Sequence, residues 1–99
     1  MVVWSTPATL DLRAIHDFIA LESKYYAVKV IEDIIELSEK IEPMSARGRI
    51  VPEFGDPRVR ELFIYSYRLI YEIGEENVSI LAVIHGKRDI SKKAFEEIK

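Results

Sequence analysis

Residues 59–85 read VRELFIYSYRLIYEIGEENVSILAVIH, and the alternation inside this stretch decides the fold. Three β-rich runs stand out, Val59 to Ile64, Tyr67 to Ile73 and Val78 to His85, with Gly74 to Asn77 supplying turn residues between the last two. In the middle run Tyr67, Leu69, Tyr71 and Ile73 alternate with Arg68, Ile70 and Glu72, so Arg68 and Glu72 share one face of a sheet. The last run is apolar on both faces, which predicts a strand in the middle of the sheet beneath helices. The expectation is a three-stranded antiparallel meander.

Upstream of it the period changes from two to 3.6. Val2, Val3 and Trp4 form a short β run, and Thr6 before Pro7 reads as an N-cap followed by proline at the first helical position. Leu12, Ile15, Phe18 and Ile19 recur at spacings of three and four, which places them on one buried face while Asp11, Arg13 and Asp17 face out. The pattern resets near Glu22 and Ser23, then runs through Ala27, Val30, Ile31, Ile34, Leu37 and Ile41 until Pro43 stops it. So short a break predicts an antiparallel helical hairpin. Residues 43–57, with three prolines and two glycines, read as an extended loop, and Ser91 to Ile98 as a short C-terminal helix capped by Ser91. The class is α+β, one domain over residues 1–99.

Composition narrows the function. An apolar share of 48% against 31% charged residues is globular rather than disordered. No apolar run nears the roughly 20 residues that span a bilayer, and the N-terminus lacks a signal-peptide layout, so the expected address is the cytoplasm and no membrane partner is expected. With no cysteine, disulfides and thiolate metal sites are excluded. The net charge of −3 argues against strong binding to free nucleic acid, but it is unevenly spread. Residues 1–42 hold eight acids and four bases, whereas Lys87, Arg88, Lys92 and Lys93 stand against Asp89 alone just past the last strand.

Arg58, Arg60, Arg68, Lys87 and Arg88 lie on or beside the meander, where strands in register bring such side chains around a phosphate; the plainer reading pairs them with Glu61, Glu72 and Asp89. Glu53 suits a general base if a cation tunes it, or else is a loop acid. His85, ending the apolar strand, fits an acid, a base or a strand-end cap. His16 beside Asp17 has no second ligand at metal spacing, so neither metal nor cofactor is expected. Ser79 and His85 are six apart on one strand and cannot form a triad with Asp89. Gly86-Lys87 lacks the rest of a phosphate loop.

Taken together, Ala8, Asp11-Leu12, Ile15, Phe18-Ile19, Gly48-Arg49, Pro52-Glu53, Arg60-Glu61-Leu62, Tyr67-Arg68-Leu69-Ile70-Tyr71 and Ile80-Leu81 through His85-Gly86-Lys87-Arg88-Asp89 resemble the ParE/RelE toxin superfamily over nearly the whole chain. The resemblance implies a toxin of a type II toxin-antitoxin pair, neutralised by a cognate antitoxin that wraps it. The expected antitoxin-binding residues are Val30, Ile34, Leu37 and Ile41 on the second helix with Tyr67 and Tyr71 on the meander, and a homodimer or a hetero-oligomer with the antitoxin is compatible with this.

Two branches of the superfamily differ in target. RelE-like and YoeB-like members cut mRNA on the ribosome, and Glu53, Arg68, His85 and Arg88 are the residues that role would fall to here. Their C-terminal tyrosine has no counterpart, since no tyrosine follows Tyr71. Losing such an acid forfeits about two to four powers of ten. ParE-like members bind DNA gyrase instead, and the resemblance leans to that branch; an inactive toxin-like binding module is a further alternative.

Overall fold

The computed structural model describes residues 1–86, with no side-chain description at residues 43–45. The expected helix over residues 91–98, Lys87 and Arg88 lie outside the described residues. The elements are β1 (Val2–Trp4), α1 (Thr6–Ala20), α2 (Lys24–Glu39), a 3₁₀ helix (Glu42–Arg47), β2 (Arg49–Ile50), β3 (Val59–Ile64), β4 (Tyr67–Ile73) and β5 (Val78–His85). They build a five-stranded sheet in the order β1-β5-β4-β3-β2, with β1 parallel to β5 and every other pair antiparallel. The meander and the hairpin are those the periods predict. β5 is interior, as two apolar faces require, but the central place belongs to β4.

The first helix starts one residue earlier than expected. The backbone N–H of Ser5 donates to Ile80 O at 3.0 Å, which keeps Ser5 extended at φ −70° and ψ 159°. Its side chain can then accept from Ala8 N at 3.1 Å, so Ser5 is the cap and Thr6 is already helical. Ser23 caps α2 in the same way, accepting from Tyr26 N at 3.1 Å.

One face of the sheet is covered by the helices. Ala8, Ile15, Val30, Ile34 and Ile41 pack with Leu69, Tyr71, Ile80 and Val83 in a single cluster. The opposite face holds Val59, Ile70, Leu81, Ala82 and Ile84, covered by Val51 and Phe54 from the long loop. A bulge makes this division: Ile70 pairs with Ala82 but Tyr71 with Ile80, so Leu81 is the extra residue and the alternation of β5 breaks there.

Three expectations fail locally. Phe18 is not buried but 72% exposed, because it stands about 100° around the helix from Ile19 and overhangs the sheet. Asp11 does not face solvent; its carboxylate accepts the backbone N–H of Val83 at 3.0 Å. The loop at residues 43–57 is not simply extended, since it contains the 3₁₀ helix and β2. Gly48 lets it lie down: a Cβ there would sit 2.2 Å from Tyr71 Oη, while its N–H donates to that hydroxyl at 3.2 Å.

Candidate functional site

The β3–β4 register places Phe63 opposite Arg68 and Arg60 opposite Tyr71. Arg68 therefore rises on the loop-covered face, whereas Arg60 shares the helix-covered face with Tyr71. The two guanidinium groups that a shared phosphate site needs are on opposite faces of the sheet. This corrects the expected basic patch, and the physical reason is parity: Arg60 and Arg68 sit at register positions of opposite sense.

Arg68 is 4% exposed and lies in an alternating chain of charges. Its Nε donates to Glu61 Oε1 at 2.6 Å, and its two Nη atoms donate to the two oxygens of Glu53, both at 2.8 Å. Glu61, 1% exposed, accepts on its other oxygen from Arg49 Nε at 2.8 Å. Arg49 stacks over Phe63 with its guanidinium carbon 5.2 Å from the ring centroid. Two acids and two bases thus cancel along Glu53, Arg68, Glu61 and Arg49. The carboxylate of Glu53, then that of Glu61, holds the Arg68 guanidinium protonated well above its ordinary range despite burial.

Burying such a chain gains little net energy, because desolvation offsets the attraction, but breaking it leaves a charge stranded. Its structural effect is positional: Glu53 belongs to the long loop, and the fork on Arg68 fixes that loop over the second cluster. Both Glu53 oxygens are taken up by Arg68, so in this fold Glu53 is a fork partner.

The other expected cations among the described residues, Arg60 and Arg58, are also engaged. Arg60 donates from Nε to Pro57 O at 2.7 Å and from Nη1 to Ala46 O and Gly48 O at 3.1 and 3.0 Å, tying both ends of the loop. Arg58 pairs with Asp56, Nη2 to Oδ2 at 3.5 Å, while Asp56 Oδ1 accepts Arg58 N at 2.9 Å. His85 is exposed at the end of β5, edge-on to the Tyr67 ring at 6.2 Å between centroids. Among the described residues no three His, Asp or Glu side chains gather as a metal ion requires.

The expected partner surface needs the same correction. Val30 is 2% exposed, and Ile34, Ile41 and Tyr71 are fully buried, so these four are core and offer nothing to a partner in this fold. Leu37 and Tyr67 are half-buried at its margin. The exposed apolar surface lies elsewhere. On α1, Leu10 and Phe18, with Leu21 just beyond, form one stripe at helical spacing, and Tyr25, Val28 and Ile35 form another on α2. At the β3–β4 turn Tyr65 takes φ 54°, a left-handed conformation rare for tyrosine. Its hydroxyl donates to Asp33, and its ring stands edge-on to Tyr26 at 6.5 Å. That bond pushes the Tyr65 hydroxyl up to about 12.

Sequence reasoning missed Asp11 as a partner of the β5 backbone, while the plainer pairing of Arg68 with Glu61 is the one the fold makes. The alternation of Val59, Glu61 and Phe63 carries the signal for that pairing, since it sets a carboxylate within an apolar face diagonal to Arg68.

A family profile described as ParE toxin of type II toxin-antitoxin system, parDE, matches residues 2–90. No curated protein matches the chain closely enough to count as a relative. Among solved structures, a chain of the chromosomal ParDE TA system from P. aeruginosa is 24% identical, with a TM-score of 0.71 over 85% of this chain and 92% of that one. At that identity the likeness concerns the fold.

Proposed function

The chain belongs to the ParE toxin family of type II toxin-antitoxin systems, and from that membership we propose that it arrests growth by binding DNA gyrase in the cytoplasm, without cutting RNA, until a cognate antitoxin occupies it. The observation that supports this reading is the state of Arg68. An endonuclease reading needs Arg68 to hold a phosphate and Glu53 to take a proton. Instead both Nη atoms of Arg68 rest on Glu53 and its Nε on buried Glu61. Opening that fork to admit a phosphodiester would place a third negative charge beside two carboxylates. Arg60, which would have to assist, sits across the sheet. A protein that acts by binding needs none of this rearrangement.

The experiment is expression of the chain alone and together with the gene beside it. Growth arrest relieved by that neighbour, with gyrase–DNA cleavage complexes accumulating and ribosome-bound mRNA intact, is the expected outcome. Codon-phased mRNA cleavage that disappears in Arg68→Ala would overturn the gyrase reading in favour of ribosome-dependent cleavage. Unimpeded growth would instead point to an inactive toxin-like module.

A further inference from the structure

Leu21 and Tyr25, 83% and 82% exposed, are the most exposed large apolar side chains among the described residues, and both sit where α1 gives way to α2. Phe18 and Tyr26, also exposed, flank them. The tip of the hairpin is nonetheless held in one shape. The N–H groups of Glu22 and Ser23 both donate to Ile19 O at 3.0 Å, and the Ser23 hydroxyl accepts the Tyr26 N–H at 3.1 Å. The Tyr26 ring meets Tyr65 edge-on, and the Tyr65 hydroxyl bonds Asp33, so the left-handed residue in the β3–β4 turn braces the tip.

Between these side chains lies a pocket of about 260 Å³, lined by Phe18, Ile19, Leu21, Glu22, Ser23 and Tyr26. An apolar cavity of about 150 Å³ already admits benzene, so one aromatic ring fits here. Tyr25 stands outside the pocket, turned about 100° around α2 from Tyr26. Two opposite charges border it, Glu22 in its lining and Lys24 just past Ser23. Neither of these side chains has an ion-pair partner among the described residues.

We propose that the hairpin tip is a self-association surface, on which a second copy of this chain docks about a two-fold axis near Ser23. Tyr25 of each copy enters the pocket between Phe18 and Tyr26 of the other, and Lys24 of each copy meets Glu22 of the other. A two-fold interface must be its own complement, because the same patch serves both sides. This patch sets a projecting ring beside a pocket and a free cation beside a free anion, which is what that symmetry demands. Alone, the chain leaves the ring and both charges in water; two copies bury the rings and pair both charges twice. The braced tip has little ordering left to lose on association. A lipid surface suits it less well, because it would draw the Glu22 carboxylate towards the acyl boundary together with the apolar side chains. Four exposed apolar side chains per copy make a contact at the small end of interface sizes, so the dimer is a weak one that forms at high local concentration. Self-association of this kind does not depend on what the toxin binds.

The test is sedimentation equilibrium of the full chain from about 10 μM to about 1 mM, a range in which a weak dimer is partly populated. A monomer–dimer equilibrium is expected, with amide shifts of the ¹⁵N-labelled chain that grow with concentration and centre on residues 18–26. Tyr25→Ala removes a ring that is mostly in solvent, so circular dichroism should be unchanged while the dimer weakens about tenfold. Glu22→Lys and Lys24→Glu each set like charges together across the axis and should each weaken the dimer about fivefold. Mixing these two variants one to one should restore the parent affinity, because the mixed dimer pairs opposite charges at both contacts. A monomer throughout the range, a dimer indifferent to Tyr25→Ala, or a mixture no tighter than either variant alone would each overturn the proposal. A monomer that floats with neutral phospholipid vesicles would overturn it in favour of a lipid surface.

Discussion

Replacing Arg68 with alanine removes three hydrogen bonds at once, one to Glu61 and two to Glu53. Glu61 is then left in the interior with Arg49 alone, whose side chain is 59% exposed. Because Arg68 itself is 4% exposed, little solvent screening softens the loss. Breaking a buried pair in this way costs about 3–5 kcal/mol. A domain of this length has roughly 5–15 kcal/mol in total. Each kcal/mol corresponds to about 4–8 °C in a domain of this size, so Tm should fall by roughly 12–40 °C. Urea unfolding followed by far-ultraviolet circular dichroism measures the difference, which should persist in high salt. Arg68→Lys, which keeps the charge but not the fork, should lose about half as much. A triple variant, Arg68→Met with Glu53→Leu and Glu61→Leu, should recover to within about 1 kcal/mol of the parent, since a matched apolar set avoids desolvation altogether. An Arg68→Ala protein as stable as the parent, or a triple variant as unstable as the single one, would refute the view that this network clamps the loop.

Gly48→Ala should lose about 1–3 kcal/mol, because a methyl 2.2 Å from Tyr71 Oη forces either the ring or the loop to move; thermal unfolding compares it with the parent. On α2, Ile34→Ala should lose about 2–5 kcal/mol in the same assay, while Val28→Ala on the exposed face should stay within about 0.5 kcal/mol. An ultraviolet titration should show one tyrosine ionising at about 12 that is absent from Tyr65→Phe. Because the folded value lies above the ordinary value of 10.0, the stability Tyr65 contributes is intact below pH 10 and fades as pH rises towards 12. Its partner Asp33 is held below 3.8, chiefly by the Tyr65 hydroxyl, so its share is present above that pH and is lost on further acidification.

Much of the architecture was legible because it rests on local repetition. The 3.6-residue period from Leu12 to Ile41 and the alternation from Val59 to Ile73 each report a buried face. The site was legible only in part. Arg68 and Glu53, expected as phosphate holder and base of an endonuclease, instead satisfy each other in the fold. Residues such as Ile34 and Tyr71, expected to meet a partner, are core for the same reason that they carry the periodic signal. Periodicity identifies what is buried within the chain and is silent on which remaining apolar side chains, such as Phe18 and Tyr25, stay outside.

Taken alone, the sequence determines the helical hairpin, the meander and their order, since these follow from spacing along the backbone, whereas the 3₁₀ helix, β2 and the bulge that resets the faces of β5 do not. Only the tertiary structure decides which charges neutralise one another. Whether Arg68 meets a phosphate or Glu53 depends on where a loop fifteen residues earlier in the chain comes to rest, and that depends on Arg60 binding its carbonyls and on Gly48 fitting beneath Tyr71. Coulombic partners are chosen by distance in space, and across a folded sheet that distance is set by register and loop packing rather than by position in the chain.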